Sequence, residues 1–175
     1  MLFNKKIFIR FVIFTCLLLV IIILALGISK KIKSKKDIEN NIATLPSFQF
    51  YNLQNQPYTI DSLQKNKKTL LLFFNTTCEH CQYETEQIIK NKTAFEVCNT
   101  LFVSNQSLPE IKSFDGIYHI LNLPSLTLLR DSLDNSKRGF GVSSIPSSFI
   151  YDVNGKLVTS FKGEVKIEAI LAALK

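Results

Sequence analysis

The sequence has no tryptophan, one methionine and two histidines among its 175 residues, and its six glycines and five prolines follow no repeating pattern. So little glycine and proline excludes collagen-like and low-complexity chains, and no internal repeat of solenoid period is present. A single Cys-x-x-Cys, with His80 and His119 as the two histidines, leaves a structural zinc site without its second cysteine pair. No glycine-rich fingerprint for a nucleotide occurs, so the chain supplies no reducing cofactor of its own. Residues 1–36 lack acidic side chains, yet eight of the 21 Lys and Arg fall there, leaving 13 basic and 14 acidic residues for the rest. The basic character therefore belongs to the N-terminal flanks and points to membrane headgroups. No basic face interleaved with aromatics recurs beyond them, which excludes nucleic-acid binding.

What is present begins with residues 11–28, an uncharged run diluted only by Thr15, Cys16 and Gly27. At ~1.5 Å per helical residue it spans ~27 Å, close to the ~30 Å of a bilayer core. Lys5, Lys6 and Arg10 precede it, as in the basic region of a signal segment. The run is long for a cleaved signal, which favours a retained anchor. Ala25-Leu26-Gly27 keeps cleavage open as the alternative. A lipid-attachment site is excluded, because Cys16 lies mid-run without small residues before it, and Cys16 is expected to be a small buried residue. Counting positive charges on either side, three before and five after, weakly favours a cytoplasmic C-terminal part. The redox chemistry described next argues for the opposite orientation and overrides that count.

The layout predicted is a basic flank over 1–10, an anchor over 11–28, a charged juxtamembrane linker over 29–44 and one domain over 45–175. Residues 48–53 alternate like a strand, and residues 58–60 form a second extended piece. Residues 69–74, Thr-Leu-Leu-Leu-Phe-Phe, are continuously apolar, as in a central strand buried on both faces. A helix follows over about 81–90, with Ile88 and Ile89 inward, and then a buried strand at 101–103. Leu108 opens a short helix with Pro109 in its first turn. Residues 125–130 are extended, 147–161 read as a hairpin around Asn154-Gly155, and 166–174 form an amphipathic helix. The order strand–helix–strand, then hairpin–helix, predicts an α/β fold with a mixed central sheet flanked by helices.

Cys78 and Cys81 fall directly after the apolar strand, where a helix starts. Residues three apart share a helix face, so the two sulfurs can meet. The free N–H groups and positive end of the helix dipole favour a thiolate at Cys78, the attacking species in disulfide exchange. Cys78 would attack, and Cys81 would resolve the mixed disulfide. His80, if protonated, would further stabilise the thiolate, whereas Glu79 opposes it; both are redox-tuning candidates with opposing signs. A metal-handling protein using Cys78, Cys81, His80 and His119 is an alternative. Cys98 is expected to be a buried small residue.

The second signature is the stretch 141–152, with Gly141-Val142, Ile145-Pro146 and Asp152 leading into Asn154-Gly155. Together with the apolar strand and the Cys78–Cys81 pair, it resembles the thioredoxin superfamily. Within that superfamily it resembles the TlpA/ResA-like membrane-anchored thiol–disulfide oxidoreductases, over roughly residues 45–175. The resemblance implies a thioredoxin-like fold and a cis Ile145–Pro146 bond that aligns substrate beside the redox pair. It also implies a reducing role outside a bacterial cytoplasm, such as serving cytochrome c maturation. The partners implied are disulfide-bearing proteins, a separate electron donor and the membrane, with no metal or other cofactor; an oxidase or isomerase of the same fold is the alternative. Two departures stand out: Thr77 occupies the place where the family usually has tryptophan, and Asn75-Thr76 is unusually polar. A peroxiredoxin's Pro-x-x-x-Thr-x-x-Cys would need Pro at 71 and Thr at 75, and Leu71 and Asn75 stand there instead.

Overall fold

Four consecutive apolar residues explain the centre of the molecule. Leu70 and Leu72 of one strand face one side of the sheet while Leu71 and Phe73 face the other, and all four are buried. Side chains alternate along a strand, so such a run is stable only with a layer on each face. The computed structural model describes residues 5–175 and supplies both layers.

The elements in chain order are α1 (Lys5–Ile42), β1 (Gln49–Tyr51), β2 (Pro57–Thr59), β3 (Lys68–Phe73), α2 (Glu79–Lys90), β4 (Cys98–Ser104), α3 (Leu108–Tyr118), β5 (Leu126–Arg130), α4 (Asn135–Arg138), β6 (Ser147–Tyr151), β7 (Leu157–Lys162) and α5 (Ile167–Leu174). The seven strands form one sheet in the order β2-β1-β5-β4-β3-β6-β7. β3 runs parallel to β4 and antiparallel to β6, pairing Leu71 with Leu101 on one side and Phe149 on the other. One core layer joins Leu70, Leu72 and Phe74 to Ile88 of α2, Ile111 of α3 and Ile170 of α5. The other joins Leu71 and Phe73 to Phe50, Phe140 and Phe149, with the rings of Phe73 and Phe149 edge to face at 5.8 Å. Burying each of these side chains contributes about 1.5–3 kcal/mol.

The structure extends several predicted elements. The strand expected at 101–103 begins at Cys98, which is buried and lies within β4 rather than ahead of it. The helix expected to begin near Cys81 begins at Glu79, with Cys78 in extended backbone as its N-cap. The hairpin at 147–161 forms with a bulge at Ile150/Tyr151. Its turn is closed by Asp152 Oδ1, which accepts the N–H groups of Asn154 and Lys156, and by Gly155 at φ +75°.

The N-terminal unit, residues 1–39, is distinct from the unit formed by 40–175. Among the described residues α1 is the one helix long and apolar enough to cross a membrane, with a mean hydropathy of 2.6 over its most apolar stretch. The charged segment after residue 29 continues the same helix to Ile42. Cys16, expected to be buried, is exposed on α1, because no other part of its own unit packs there. In the second unit, residues 43–45 join the 152–155 turn through Leu45 N–H to Gly155 O at 2.7 Å and Leu157 N–H to Ala43 O at 3.0 Å.

Candidate active site

β3 ends at the redox motif. Its continuation, Phe74, donates its N–H to Val103 O at 3.0 Å and packs its ring on Phe114 of α3. The next three residues, Asn75-Thr76-Thr77, are all polar and are held by hydrogen bonds. Asn75 Oδ1 accepts from Thr77 N–H at 2.9 Å and from Thr77 Oγ1 at 2.8 Å. Gln106, on the loop after β4, accepts the Thr76 N–H at 2.6 Å, and Gln82 Nε2 donates to Thr76 O at 2.8 Å. Gln106 also donates to Glu110, which closes a capping box with Ser107 at the start of α3. A polar clasp therefore fixes the entry to the motif.

Cys78 is partly exposed and Cys81 fully buried, and both are free thiols. The Cys78 thiol acts directly on the Cys81 thiol. Burial pushes the Cys81 thiol up to about 12; the hydrogen bond and charge of Cys78 add to this, and the Asn75 backbone N–H opposes it. The outer sulfur is thus the accessible one and the inner sulfur holds its proton tightly.

One turn beyond Cys81 sits Glu84, 1 % exposed, with neither carboxyl oxygen hydrogen-bonded. Burial pushes its carboxyl up to about 8, and the charge of Glu164 adds to the shift. Sequence reading missed Glu84. An acid at the third position after the second cysteine, on the buried face of an amphipathic helix, was the signal available.

Glu79 and His80 are exposed in the first turn of α2. His80 Nδ1 lies 2.6 Å from Glu164 Oε2, on the loop between β7 and α5. The Ile145–Pro146 peptide is cis; Pro146 is buried and Ile145 is 40 % exposed. Ser147 Oγ donates to Ser144 O at 2.6 Å, and Gly163 N–H to Pro146 O at 2.8 Å. A cavity of about 310 Å³ opens beside Asn75 and Ile145, with Phe73, Val142, Asn105 and Lys137 among its walls.

His119 lies elsewhere, exposed at the C-terminus of α3 in a left-handed conformation. Among the described residues no group of three or more His, Cys, Asp or Glu is arranged to hold a metal ion. Cys98 is buried in β4 with its sulfur 3.2 Å from Thr100 Oγ1, and burial raises its pKa.

A strand-to-helix Cys-x-x-Cys and a cis-proline segment stand together on a mixed sheet of thioredoxin-like fold. The model of the AhpC/TSA family matches residues 43–160, and the chain belongs to that family. Among solved structures it is similar to StoA from Bacillus subtilis, at 18 % identity over 76 % of this chain and 99 % of that one, with a TM-score of 0.59. It is similar to an exposed lipoprotein thioredoxin from Streptococcus pneumoniae, at 26 % identity over 73 % and 97 %, with a TM-score of 0.55. It is also similar to the peroxidoxin BcpB from Mycobacterium tuberculosis, at 16 % identity over 75 % and 93 %, with a TM-score of 0.64. A comparison with curated proteins returned no match. The fold is therefore shared with peroxiredoxins, although the stretch 71–81 lacks the Pro-x-x-x-Thr-x-x-Cys pattern. Leu71 is paired on both sides within β3, a position that proline, lacking an N–H, does not fill.

Proposed function

We propose that the chain is an extracytoplasmic, membrane-anchored reductase of protein disulfides, with Cys78 as nucleophile and Cys81 as resolving thiol. The observation that carries this reading is the asymmetry of the pair: a partly exposed sulfur at a helix N-cap and, three residues on, a buried one whose proton is firmly held. The Cys78 thiolate attacks one sulfur of a partner disulfide, forming a mixed disulfide; the other partner sulfur leaves as a thiolate and takes a proton. Cys81 then gives up its proton and attacks the Cys78 sulfur, displacing the second partner sulfur as a thiolate, which is protonated in turn. The partner gains two electrons and two protons, and the chain is left with a Cys78–Cys81 disulfide.

Glu84, one turn along the same helix, is suited to take the Cys81 proton, because a carboxyl near 8 is a stronger base than one on the surface. Pro146 and the cavity beside Ile145 would receive the partner backbone, since that edge lies next to the motif. Regeneration of the dithiol requires an electron donor, because each turnover leaves the pair oxidised. The apolar run of α1, flanked by basic residues, supports the anchor, and disulfide chemistry supports a domain outside the cytoplasm.

The test is trapping. Cys81→Ser should accumulate mixed disulfides with partner proteins through Cys78, and Cys78→Ser should accumulate none. Equal trapping by both variants would overturn the assignment of roles. Peroxide reduction is the second reading, favoured by the likeness to a peroxidoxin. Rapid peroxide consumption by Cys81→Ser, with no exchange on protein disulfides, would establish it instead.

A further inference from the structure

Most polar groups of the three residues before Cys78 are already taken. Thr76 donates its N–H to Gln106 Oε1 at 2.6 Å and accepts from Gln82 Nε2 at 2.8 Å. Thr77 turns both its N–H and its hydroxyl onto Asn75 Oδ1, at 2.9 and 2.8 Å. The Asn75 carbonyl accepts the Cys78 N–H at 3.2 Å, closing a turn over 75–78, which keeps the Cα atoms of Asn75 and Cys78 within about 7 Å. A backbone N–H can only donate, so its bond identifies the acceptor end of the Asn75 amide, and two bonds on that one oxygen fix the amide plane. The other end, Nδ2, is thereby held in place, and it donates to no described residue. Of the three residues, Asn75 is the one that lines the cavity beside Ile145, where Phe73 and Val142 supply apolar wall and Ile145 is 40 % exposed.

We propose that Asn75 is a specificity-determining residue of the exchange: its Nδ2 donates to a main-chain carbonyl oxygen of the partner, beside the half-cystine that Cys78 attacks. The substrate class this selects is a disulfide held in an extended peptide segment, over a disulfide that offers no carbonyl. The inference deepens the Cys78 reading above and rests on it. An extended segment has carbonyl groups free to pair with a neighbouring donor. A carbonyl that leaves water for the cavity wall needs such a donor, because an unmade bond there costs its desolvation. A donor already locked in place loses little side-chain freedom when the partner arrives. The clasp through Gln106 and Gln82 serves the same end, since it holds the turn that sets Nδ2 relative to the Cys78 sulfur.

The test compares two disulfides on the reduced full-length chain in detergent micelles. One is a synthetic peptide closed by a single cystine, followed by mass; the other is 2,2′-dithiodipyridine, which has no carbonyl, followed by the released thiopyridone in the phase that Cys78→Ser lacks. The readout is the peptide rate constant divided by the dithiodipyridine rate constant, so that any change in the Cys78 thiol itself cancels. Asn75→Ser keeps an acceptor for the Thr77 N–H but has no Nδ2, and should lower the ratio about three- to tenfold, the worth of one net hydrogen bond. Asn75→Asp keeps the turn and sets an acceptor against the carbonyl, and should lower it further. Thr77→Val leaves Nδ2 in place with half its lock, and should lower it least. A ratio unmoved in both Asn75 variants would overturn the proposal, as would a Thr77→Val loss larger than that of Asn75→Ser. Equal falls in both rate constants would also overturn it, since they would make Asn75 a residue of the turn alone. Failure of the reading beneath it looks different: the wild type would then react with dithiodipyridine and leave the peptide disulfide intact, and the proposal would fall with that reading.

Discussion

In the exchange proposed above, Cys81 and Glu84 together would set how fast the site turns over. A thiol pushed up to about 12 is almost wholly protonated near neutrality, so resolution waits on a base. With Glu84 near 8, the fraction of carboxylate able to accept the proton rises about tenfold per pH unit until about pH 8 and then levels. Stopped-flow resolution of a Cys78 mixed disulfide should show that inflection, and Glu84→Gln should abolish it. The same residue carries a stability prediction. An acid whose folded pKa is raised leaves stability untouched below the unfolded value and removes it as pH climbs towards the folded one. Glu84→Gln should therefore match the wild type near pH 4 in urea unfolding and exceed it by on the order of 4 kcal/mol near pH 8. Equal stability at both would contradict the buried, unpartnered carboxyl. The place of Cys78 and Cys81 at a strand-to-helix junction was legible in the sequence from their spacing after an apolar run, and the cis Ile145–Pro146 bond followed from the family resemblance. Glu164 was not legible: it is 84 residues from His80 in the chain, and only the fold brings the two together.

At the scale of elements, α2 and β3 position the chemistry, and the loop after β4 holds their junction. The hydrophobic pattern made the strands and helices readable, since periods of two and 3.6 mark them wherever one face is buried. It did not reveal the clasp at 75–77, which depends on Gln106 reaching across from the loop after β4. Nor did it reveal α4, four polar residues started by Asp131, whose carboxylate accepts the N–H groups of Asn135 and Ser136. Gln106→Ala should leave the Thr76 N–H without its partner and cost about 1 kcal/mol in denaturant unfolding. Ile170→Ala, on the fully buried side of α5, should cost about 2–5 kcal/mol in the same assay. A larger loss for Gln106→Ala than for Ile170→Ala would mean that the clasp, and not the layer under the sheet, limits stability.

For the whole molecule the questions are place and direction. The AhpC/TSA match and the structural likenesses cover the folded unit, whereas α1 rests on its own composition and length. Charge counting and redox chemistry disagree about orientation, and a fusion decides between them. Alkaline phosphatase joined after Lys175 should be active in a bacterial host, and an inactive fusion would put the domain inside the cytoplasm. The most direct test of the central claim is the reduction potential of Cys78–Cys81 in the full-length chain, equilibrated in detergent against thiol buffers. The account predicts one two-electron couple between these two residues, at or below about −230 mV. A couple above about −150 mV would contradict the reducing direction, and the absence of any Cys78–Cys81 disulfide at every poise would contradict the account itself.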